Sequence, residues 1–211
     1  MTQAALIPYY LQKDQTEKVL QYADNVVLEL NKLTAYTERI QRLSNNSSEY
    51  IILNKENISI NDFFGTIKEK YQAIKEKQVD IRLLLTTAYE YIEADKIHFA
   101  NIIENLIENA IKYSGESVFI ELKVDEAETS QMARISIKDN GFGIMDSDIV
   151  HIFDKFFRSS DKAIQQQVGF GLGLTYVKAL VEAHNGSIRV ASKAGEGTDF
   201  ELFIPTVSNA Q

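Results

Sequence analysis

The sequence predicts an α+β chain in which a two-layer α/β sandwich follows one long helix. Apolar residues repeat at helical spacing through residues 16–44 and again through 95–114, and they alternate with polar residues in two later runs, 118–124 and 133–137. Helices grouped against a mixed, largely antiparallel sheet form two layers, because each layer buries its apolar side against the other.

Composition narrows the classes of function. The chain has 211 residues, a formal net charge of -8, no cysteine, and a hydrophobic fraction of 45% that is sufficient for a buried core. The acidic balance argues against nucleic acid as a partner, since such binding normally needs a concentrated basic face. The absence of cysteine excludes disulfides and thiolate metal sites and favours a reducing cytoplasm. No apolar run approaches the roughly 18 residues of a membrane helix, so we expect no direct membrane contact from this chain.

The first predicted element is a helix over about 16–44, a stretch without Pro or Gly. Its apolar residues alternate steps of three and four in the manner of a coiled-coil seam: Val19, Ala23, Val26, Leu30, Leu33, Thr37 and Ile40. Such a seam is buried only against a partner helix, so we expect dimerisation, although any coiled coil shows this pattern. Asn45-Asn46-Ser47-Ser48 ends the pattern, and we divide the chain into 1–48 and 49–211.

The second part alternates between helical and extended periods. Asn61 is a candidate N-cap for a helix with Phe64, Ile67 and Tyr71 on one face, and a buried strand follows over 79–85. The later elements are a hairpin over 118–137, a helix over about 172–184 that closes at Asn185-Gly186, and two last strands over 188–191 and 200–204.

The helix over 95–114 carries three asparagines four residues apart, Asn101, Asn105 and Asn109. Side chains at this spacing lie along one line of a helix. Asparagine is a mediocre helix former because its amide competes for backbone hydrogen bonds. Helix stability therefore does not explain the row, and we expect a functional role for part of it.

Asp139 ends the second hairpin strand on the same side as Ile135 and Ile137, the side that faces the core. A carboxylate there is costly unless a donor binds it. The turn over 139–141 alone is ordinary, but Gly143 follows Gly141 and extends the signal. Glycines let the backbone approach a ligand closely, and the carboxylate can accept from a planar amine such as that of adenine.

A second glycine cluster, Gly169-Phe-Gly-Leu-Gly-Leu174, opens the helix predicted over 172–184. Backbone amides at a helix start, stripped of side chains, form an anion site suited to phosphates. Before it lie the segment 152–158, whose phenylalanines we expect to be mainly core, and the polar stretch 159–168. This order predicts a mobile lid held at both ends, with Lys155 and Arg158 as candidate phosphate ligands, although each could be a surface charge.

Taken in order, these segments resemble the sequence boxes of one family. N-L-I-E-N-A-I-K-Y-S at 105–114, D-N-G-F-G-I at 139–144, F-D-K-F-F-R at 153–158 and G-F-G-L-G-L at 169–174 are similar to the N, first-glycine, F and second-glycine boxes of sensor histidine kinase catalytic domains. G-E-G-T-D-F at 195–200 resembles the further glycine motif near the end of those domains. The resemblance covers about 55–205 and implies the GHKL, or Bergerat-type, ATP-binding fold.

The resemblance also implies roles for the matching residues toward ATP and Mg²⁺. It implies that Asn109 is the Mg²⁺ ligand and that Asn105 and Lys112 line the phosphate path. It further implies that Tyr113 packs near the adenine and that Asp139 accepts the adenine amine. The helix over 16–44 resembles the second helix of the family's dimerisation and phosphoacceptor hairpin.

The remaining expected ATP-binding residues come from the glycine and F boxes. By resemblance, Lys155 and Arg158 neutralise phosphate charge. The others supply close backbone approach or line the site: Gly141, Gly143, Ile144, Gly169, Gly171, Leu172, Gly173 and Leu174. We take Asn105, Lys155 and Arg158 as the catalytic residues, because phosphoryl transfer rests on positioning and charge stabilisation.

Within the superfamily, the residue at position 105 distinguishes members that transfer the phosphoryl group from members that hydrolyse ATP. Gyrase-like, MutL-like and heat-shock chaperone members carry Glu where this chain has Asn105, and that Glu activates water. An amide cannot act as that base, and Glu104 and Glu108 point about 100° away around the helix. Asn105 therefore favours transfer to an acceptor. The alternatives are a GHKL ATPase clamp driven by hydrolysis and a degenerate nucleotide-binding or dimerisation module.

The expected phosphoacceptor histidine is missing, because residues 1–44 contain no histidine. We interpret His98, His151 and His184 as structural or solvent-facing. We therefore expect a chain that begins within the hairpin and binds ATP·Mg²⁺ without autophosphorylating; a natural kinase acting in trans is the other account. By resemblance, the intact protein is a homodimeric membrane sensor whose cytoplasmic part passes the phosphoryl group to a response regulator receiver domain.

Overall fold

The computed structural model describes residues 51–74, 77–87, 89–127, 131–159 and 170–206. All of them belong to Ser48–Gln211, one of the two units into which the chain divides. The helix predicted over 16–44, and with it the expected dimerisation hairpin, lies outside the described residues. Across the described ranges, no helix is long and apolar enough to cross a membrane.

The described residues form strands and helices in a mixed order. In chain order they are β1 (Glu56–Ser59), α1 (Ile60–Gln72), β2 (Gln78–Leu85), β3 (Tyr91–Ala94), α2 (Lys96–Lys112), β4 (Ser117–Glu126), β5 (Met132–Asp139), α3 (Asp146–Ile149), α4 (Gly173–Ala183), β6 (Ser187–Lys193) and β7 (Gly197–Pro205).

Five of these strands form one sheet in the order β2-β4-β5-β7-β6. β2 and β4 are parallel, whereas the other neighbouring pairs are antiparallel. β1 and β3 form a separate antiparallel pair. The predicted mixed, largely antiparallel sheet is therefore confirmed. The predicted hairpin is confirmed as well, since β4 and β5 pair Leu122 with Ile137 and Val124 with Ile135.

Alternate residues of the central strands are buried on one face of this sheet. Leu122 of β4, Ile135 of β5 and Leu202 of β7 are fully buried there, in one cluster with Ile102 and Leu106 of α2. Residues of α1 and α4 join the same cluster. The helices and the sheet thus share one core, which is the predicted two-layer α/β sandwich.

The opposite face of the sheet carries charged residues that pair across strands. Arg134 of β5 donates to both carboxylate oxygens of Asp125 of β4, at 2.8 and 2.6 Å, and to Glu201 of β7 at 3.4 Å. The hydrogen bonds from Arg134 lower the pKa of Asp125 to about 2. Antiparallel sheets commonly keep one polar face in water, and these ion pairs suit that environment.

The start of α1 differs from the prediction, because Ser59 caps the helix and Asn61 does not. Ser59 has an extended backbone with φ -61° and ψ 120°, and its hydroxyl accepts from the backbone N–H of Asp62 at 3.3 Å. β1 runs directly into α1, so its last residue already has the conformation that an N-cap requires. Asn61 lies inside the first turn, and its prediction as the cap was wrong.

The end of α4 matches the predicted left-handed cap. Asn185 has φ 60° and donates from its N–H to the carbonyl of Glu182 at 2.9 Å. The N–H of Gly186 donates to the carbonyl of Val181 at 2.9 Å. This pair of bonds is a Schellman motif, which satisfies the last carbonyls of the helix.

His184 joins the ends of two helices. It is fully buried, its Nδ1 contacts the carbonyl of Leu180 at 2.8 Å, and its Nε2 accepts from the backbone N–H of Asp95 at 3.0 Å. Asp95 is the N-cap of α2, where its carboxylate accepts from the N–H groups of His98 and Asn54. A protonated imidazole cannot accept from Asp95, so this geometry requires neutral His184. Burial accordingly lowers the pKa of His184.

We expect the free energy of unfolding to fall as the pH drops below about 6.5, the ordinary pKa of histidine. Below this pH the unfolded chain binds a proton at His184 whereas the folded chain does not, so acidification favours unfolding. The contribution of one such group reaches about 1.4 kcal/mol per pH unit. Urea unfolding of the chain between pH 5 and 8 measures this slope.

The control for this prediction is a pair of histidine variants. His184→Gln should remove its part of the pH dependence. His151→Gln, at an exposed histidine paired with Asp154, should retain that part. An unchanged slope in His184→Gln would contradict the prediction.

Candidate functional site

The row of asparagines on α2 has Asn105 at its centre. Asn105 is only 7% exposed, whereas Asn101 and Asn109 are half-buried. The Nδ2 of Asn105 donates to the backbone carbonyl of Asn101 at 2.6 Å. Its Oδ1 faces the start of α4, 3.5 Å from the position that a Cβ on Gly173 would take. The backbone of Asn101 thus fixes the orientation of the Asn105 amide.

Glu104 and Glu108 lie on the side of α2 that faces α1. Glu104 forms an ion pair with Lys70, with 2.6 Å between Oε1 and Nζ. Glu108 accepts from the hydroxyl of Tyr71 at 3.4 Å. Both carboxylates therefore contact α1, in agreement with the prediction that neither replaces a base at position 105.

The end of α2 packs on the first glycine loop, residues 139–144. The carbonyl of Tyr113, the C-cap of α2, accepts from the N–H of Phe142 at 2.9 Å. A Cβ on Gly141 would lie 2.7 Å from that carbonyl and 2.8 Å from Oδ1 of Asp139, so the loop needs glycine there. Lys112 is half-buried, with its Nζ 4.9 Å from the ring centroid of Tyr113.

Asp139 lies at the end of β5 on the core side, as its parity predicts. Its Oδ1 accepts from the N–H groups of Gly141 at 2.7 Å and Thr198 at 3.2 Å. Burial raises the pKa of the carboxyl, the two N–H groups oppose the rise, and nearby Asp199 adds to it. Among the residues that the structure describes, none donates to Oδ2, so this oxygen can accept from a ligand.

The side chain of Asn140 turns away from the loop toward β4. Its Oδ1 accepts from the N–H of Phe119 at 2.8 Å, and its Nδ2 donates to the carbonyl of Ser117 at 3.3 Å. Asn140 thus continues the hydrogen bonding of the sheet. The D-N-G motif contributes Asp139 and Gly141 to the site, whereas its asparagine is structural.

The turn between β6 and β7 packs on the same loop from another side. Gly143 has φ 67°, and a Cβ there would lie 2.0 Å from the carbonyl oxygen of Lys193. Gly197 has φ 95°, and a Cβ there would lie 2.0 Å from the carbonyl oxygen of Asp139. Both the backbone conformation and the lack of space require glycine at these two positions.

Two hydroxyl residues of this hairpin, Ser192 and Thr198, contact the first glycine loop, and no sequence pattern predicted a role for them. The Oγ of Ser192 accepts from the N–H of Ile144 at 2.9 Å and lies 2.8 Å from the carbonyl oxygen of Gly197. It also lies 2.9 Å from Oγ1 of Thr198, which is 7% exposed. The sequence signal that could have found Thr198 is its position two residues before Phe200, which places a polar side chain on the buried side of β7.

The second glycine cluster brings the segment 152–158 to the start of α4. Gly171 has φ 68°, and a Cβ there would lie 2.5 Å from the carbonyl oxygen of Phe157. The N–H of Phe156 donates to the carbonyl of Gly171 at 3.0 Å. These contacts join the predicted F box to the second glycine box.

α4 begins at Gly173, directly after the buried Leu172. The side chain of Leu172 forms no capping hydrogen bond, so no capping side chain competes for the first N–H groups of α4. Such groups can bind an anion. Leu174 and Ile144 are half-buried and pack against the core. Gly169 lies outside the described residues.

The segment 152–158 is less buried than predicted. Phe153 packs partly buried against the core, and Phe157 is half-buried, but Phe156 is 65% exposed. The expectation that these phenylalanines are mainly core was therefore wrong for Phe156, because its backbone is bound to Gly171 while its ring remains outside. Lys155 and Arg158 are exposed in this segment, and their contact with phosphate stays a prediction. Apart from Ser159, the predicted lid lies outside the described residues.

We expect Gly143→Ala to lower the free energy of unfolding by more than about 2 kcal/mol, because the new Cβ meets both an unfavourable φ and a carbonyl oxygen. Gly65→Ala is the matched control: Gly65 lies inside α1 with nothing within 4 Å of an added Cβ. The control should stabilise the chain by about 0.5–1 kcal/mol. Denaturant unfolding measures both values, and similar effects of the two substitutions would contradict the assigned contact.

Comparison with known proteins identifies the family. Residues 94–208 match the family described as histidine kinase-, DNA gyrase B-, and HSP90-like ATPase. The sensor histidine kinase WalK of Bacillus subtilis (strain 168) is 31% identical over 193 residues, which is 92% of this chain and 31% of that protein. The chain thus spans about a third of the length of this curated relative.

Two solved structures support the same assignment of fold. Full-length ShkA in complex with AMPPNP aligns with a TM-score of 0.75 at 24% identity, covering 94% of this chain and 40% of that chain. The histidine kinase ThkA in complex with the response regulator protein TrrA aligns with a TM-score of 0.65 at 18% identity, covering 99% and 59%. The chain therefore belongs to the histidine kinase-, DNA gyrase B- and HSP90-like ATPase family, and it contains an ATP-binding catalytic domain of the sensor histidine kinase type.

Proposed function

We propose that this domain transfers the γ-phosphoryl group of ATP to a histidine of the dimerisation hairpin. The observation that carries the proposal is Asn105, a buried amide at the position where the hydrolytic members of the superfamily have a glutamate. Its nitrogen is bound to the carbonyl of Asn101, and an amide does not take a proton from water. ATP held here lacks that base for hydrolysis and is better suited to meet an acceptor.

The adenine end of ATP is assigned to Asp139. Two N–H groups hold Oδ1, so Oδ2 is oriented to accept from the amino group of a planar base. Gly141 and Gly143 let the first glycine loop pack closely against Tyr113 and Lys193 beside this carboxylate. Tyr113 contacts this loop and Ile144 is its last residue, and both are assigned to pack near the base.

The phosphate end is assigned to Asn109 and the start of α4. Asn109 lies one helical turn beyond Asn105 and offers an amide oxygen. Mg²⁺ keeps several waters and takes few protein ligands besides phosphate oxygens. Across the described ranges, no group of three acidic or histidine side chains could hold a metal ion. This donor set fits an Mg²⁺ ion that is held mainly by the nucleotide, and such an ion would neutralise phosphate charge.

The catalytic contribution of the protein is then positioning and charge. Asn105 lies opposite Gly173 at the start of α4, where it can orient the phosphates. Lys112, Lys155 and Arg158 are assigned to neutralise their charge. Phosphoryl transfer needs little covalent chemistry from the protein, so positioning and charge stabilisation are the types of catalysis that it requires.

We also propose that the acceptor histidine lies on a part of the hairpin outside this chain. His184 is fully buried, and all three histidines of the chain, His98, His151 and His184, lie within the residues that match the family of ATP-binding domains, so none is assigned that role. The seam over 16–44 supports a homodimer in the intact protein. The complex of ThkA with the response regulator protein TrrA supports a receiver domain as the next acceptor. Placement as the cytoplasmic part of a membrane sensor is the corresponding proposal for location.

We expect Asp139→Asn and Asn109→Ala each to weaken binding of ATP·Mg²⁺ at least tenfold, because a charged hydrogen bond or a ligand oxygen is lost. Asn57→Ala, at an exposed asparagine of β1, is the control and should leave the affinity unchanged. Isothermal titration calorimetry measures all three. Equal affinities in the parent chain and both site variants would contradict the assignment of the nucleotide site.

We further expect that the chain incubated with γ-labelled ATP and Mg²⁺ forms no phosphohistidine and releases phosphate only slowly. The physical reasons are the missing acceptor and the missing base at position 105. Acid-labile label on the chain would contradict the proposed place of the acceptor. Rapid steady-state hydrolysis that is lost in Asn105→Ala would instead support an ATPase clamp.

A further inference from the structure

We propose that Ser192 fixes the hydrogen-bonding polarity beside Asp139 and thereby makes the site prefer 6-amino purines to 6-oxo purines. The inference rests on the proposed function, because it concerns the base specificity of the same nucleotide site. Ser192 acts through Thr198, so it is a positioning residue.

The polarity follows from the single proton of the Ser192 hydroxyl. The N–H of Ile144 donates to Oγ at 2.9 Å, which uses one lone pair. The carbonyl oxygen of Gly197 lies 2.8 Å from Oγ and can only accept, so the proton of Ser192 lies on this line. The contact of 2.9 Å between Oγ of Ser192 and Oγ1 of Thr198 then requires the proton of Thr198. With one donation and two acceptances, the hydroxyl of Ser192 is fully used.

The hydroxyl of Thr198 is therefore left with lone pairs alone for a ligand. Thr198 and Asp139 are neighbours, since the N–H of Thr198 donates to Oδ1 of Asp139 at 3.2 Å. Both lie in phase with the core-facing residues of their strands, Thr198 with Phe200 and Asp139 with Ile137. The two side chains thus present acceptors only, on the side of the sheet that faces the helices.

The neighbouring acceptors on Asp139 and Thr198 favour a ligand group that donates hydrogen bonds. The 6-amino group of adenine brings N–H donors, whereas the 6-oxo group of hypoxanthine brings another acceptor. An oxo oxygen facing Asp139 and Thr198 would be left unpaired, which is how a polar site rejects a close analogue. Without the Ser192 hydroxyl, Thr198 can rotate its proton toward the oxo oxygen, so part of this rejection is lost.

Calorimetric titration of the chain with ATP·Mg²⁺ and ITP·Mg²⁺ tests the proposal, since the two bases differ only in the group at position 6 and in the proton on N1 that accompanies the oxo group. Ser192→Ala should lower the ratio of ATP affinity to ITP affinity by about tenfold, the scale of one hydrogen bond. Ser192→Thr keeps the hydroxyl and should keep the ratio. In a Thr198→Val background, where no hydroxyl can rotate, adding Ser192→Ala should not change the ratio further.

The outcomes distinguish a role of Ser192 in base specificity from a role that only stabilises the hairpin of β6 and β7. An equal loss of both affinities in Ser192→Ala, with an unchanged ratio, would overturn the proposal, as would a lowered ratio in a folded Ser192→Thr. If circular dichroism shows Ser192→Ala unfolded, Thr198→Val should lower the ratio and Thr198→Ser should keep it, and the opposite result would overturn the proposal. A parent chain that binds neither nucleotide would contradict the proposed function itself.

Discussion

Close backbone packing at two glycines holds the candidate site together. At Gly143 and Gly197 the first glycine loop and the turn between β6 and β7 approach so closely that a Cβ would lie 2.0 Å from a carbonyl oxygen. This packing brings Thr198 to Asp139 and Ser192 to Ile144. The backbone packing therefore sets the positions from which the polar groups around Asp139 form their hydrogen bonds.

α2 connects the first glycine loop with the rest of the domain. Its apolar side is buried in the common core, its acidic side pairs with α1, and Asn105 faces the start of α4. Tyr113 at its C-terminal end binds the first glycine loop, while Asp95 at its start binds the end of α4 through His184. Both ends of the helix that carries Asn105 and Asn109 are thus tied to elements that carry the other site residues.

The spacing of apolar residues predicted the sandwich well, because each strand and helix that is buried on one side must repeat apolar residues at its own period. Counting in twos from Ile137 is sufficient to place Asp139 on the core side. Contacts between distant segments leave no such local pattern: Ser192 and Ile144 are 48 residues apart, and nothing near either one indicates their hydrogen bond. The exposure of Phe156 was mispredicted for the same reason. The apolar residues next to it in the sequence suggest a core position, but its backbone N–H is bound to the distant Gly171. Ser59 was missed as a cap because the strand before it, which supplies its extended backbone, was not predicted.

The bond from Asn105 to Asn101 has a consequence for affinity at the proposed nucleotide site. The Asn105 amide, the Oδ1 of Asp139 and the Ser192 hydroxyl are each held by the protein before any ligand arrives. Binding therefore loses little rotamer freedom at these three side chains, since their entropy has already been given up during folding. Preorganisation of this kind lets contacts with a ligand contribute more fully to the free energy of binding, and it makes the stability of the fold a determinant of affinity.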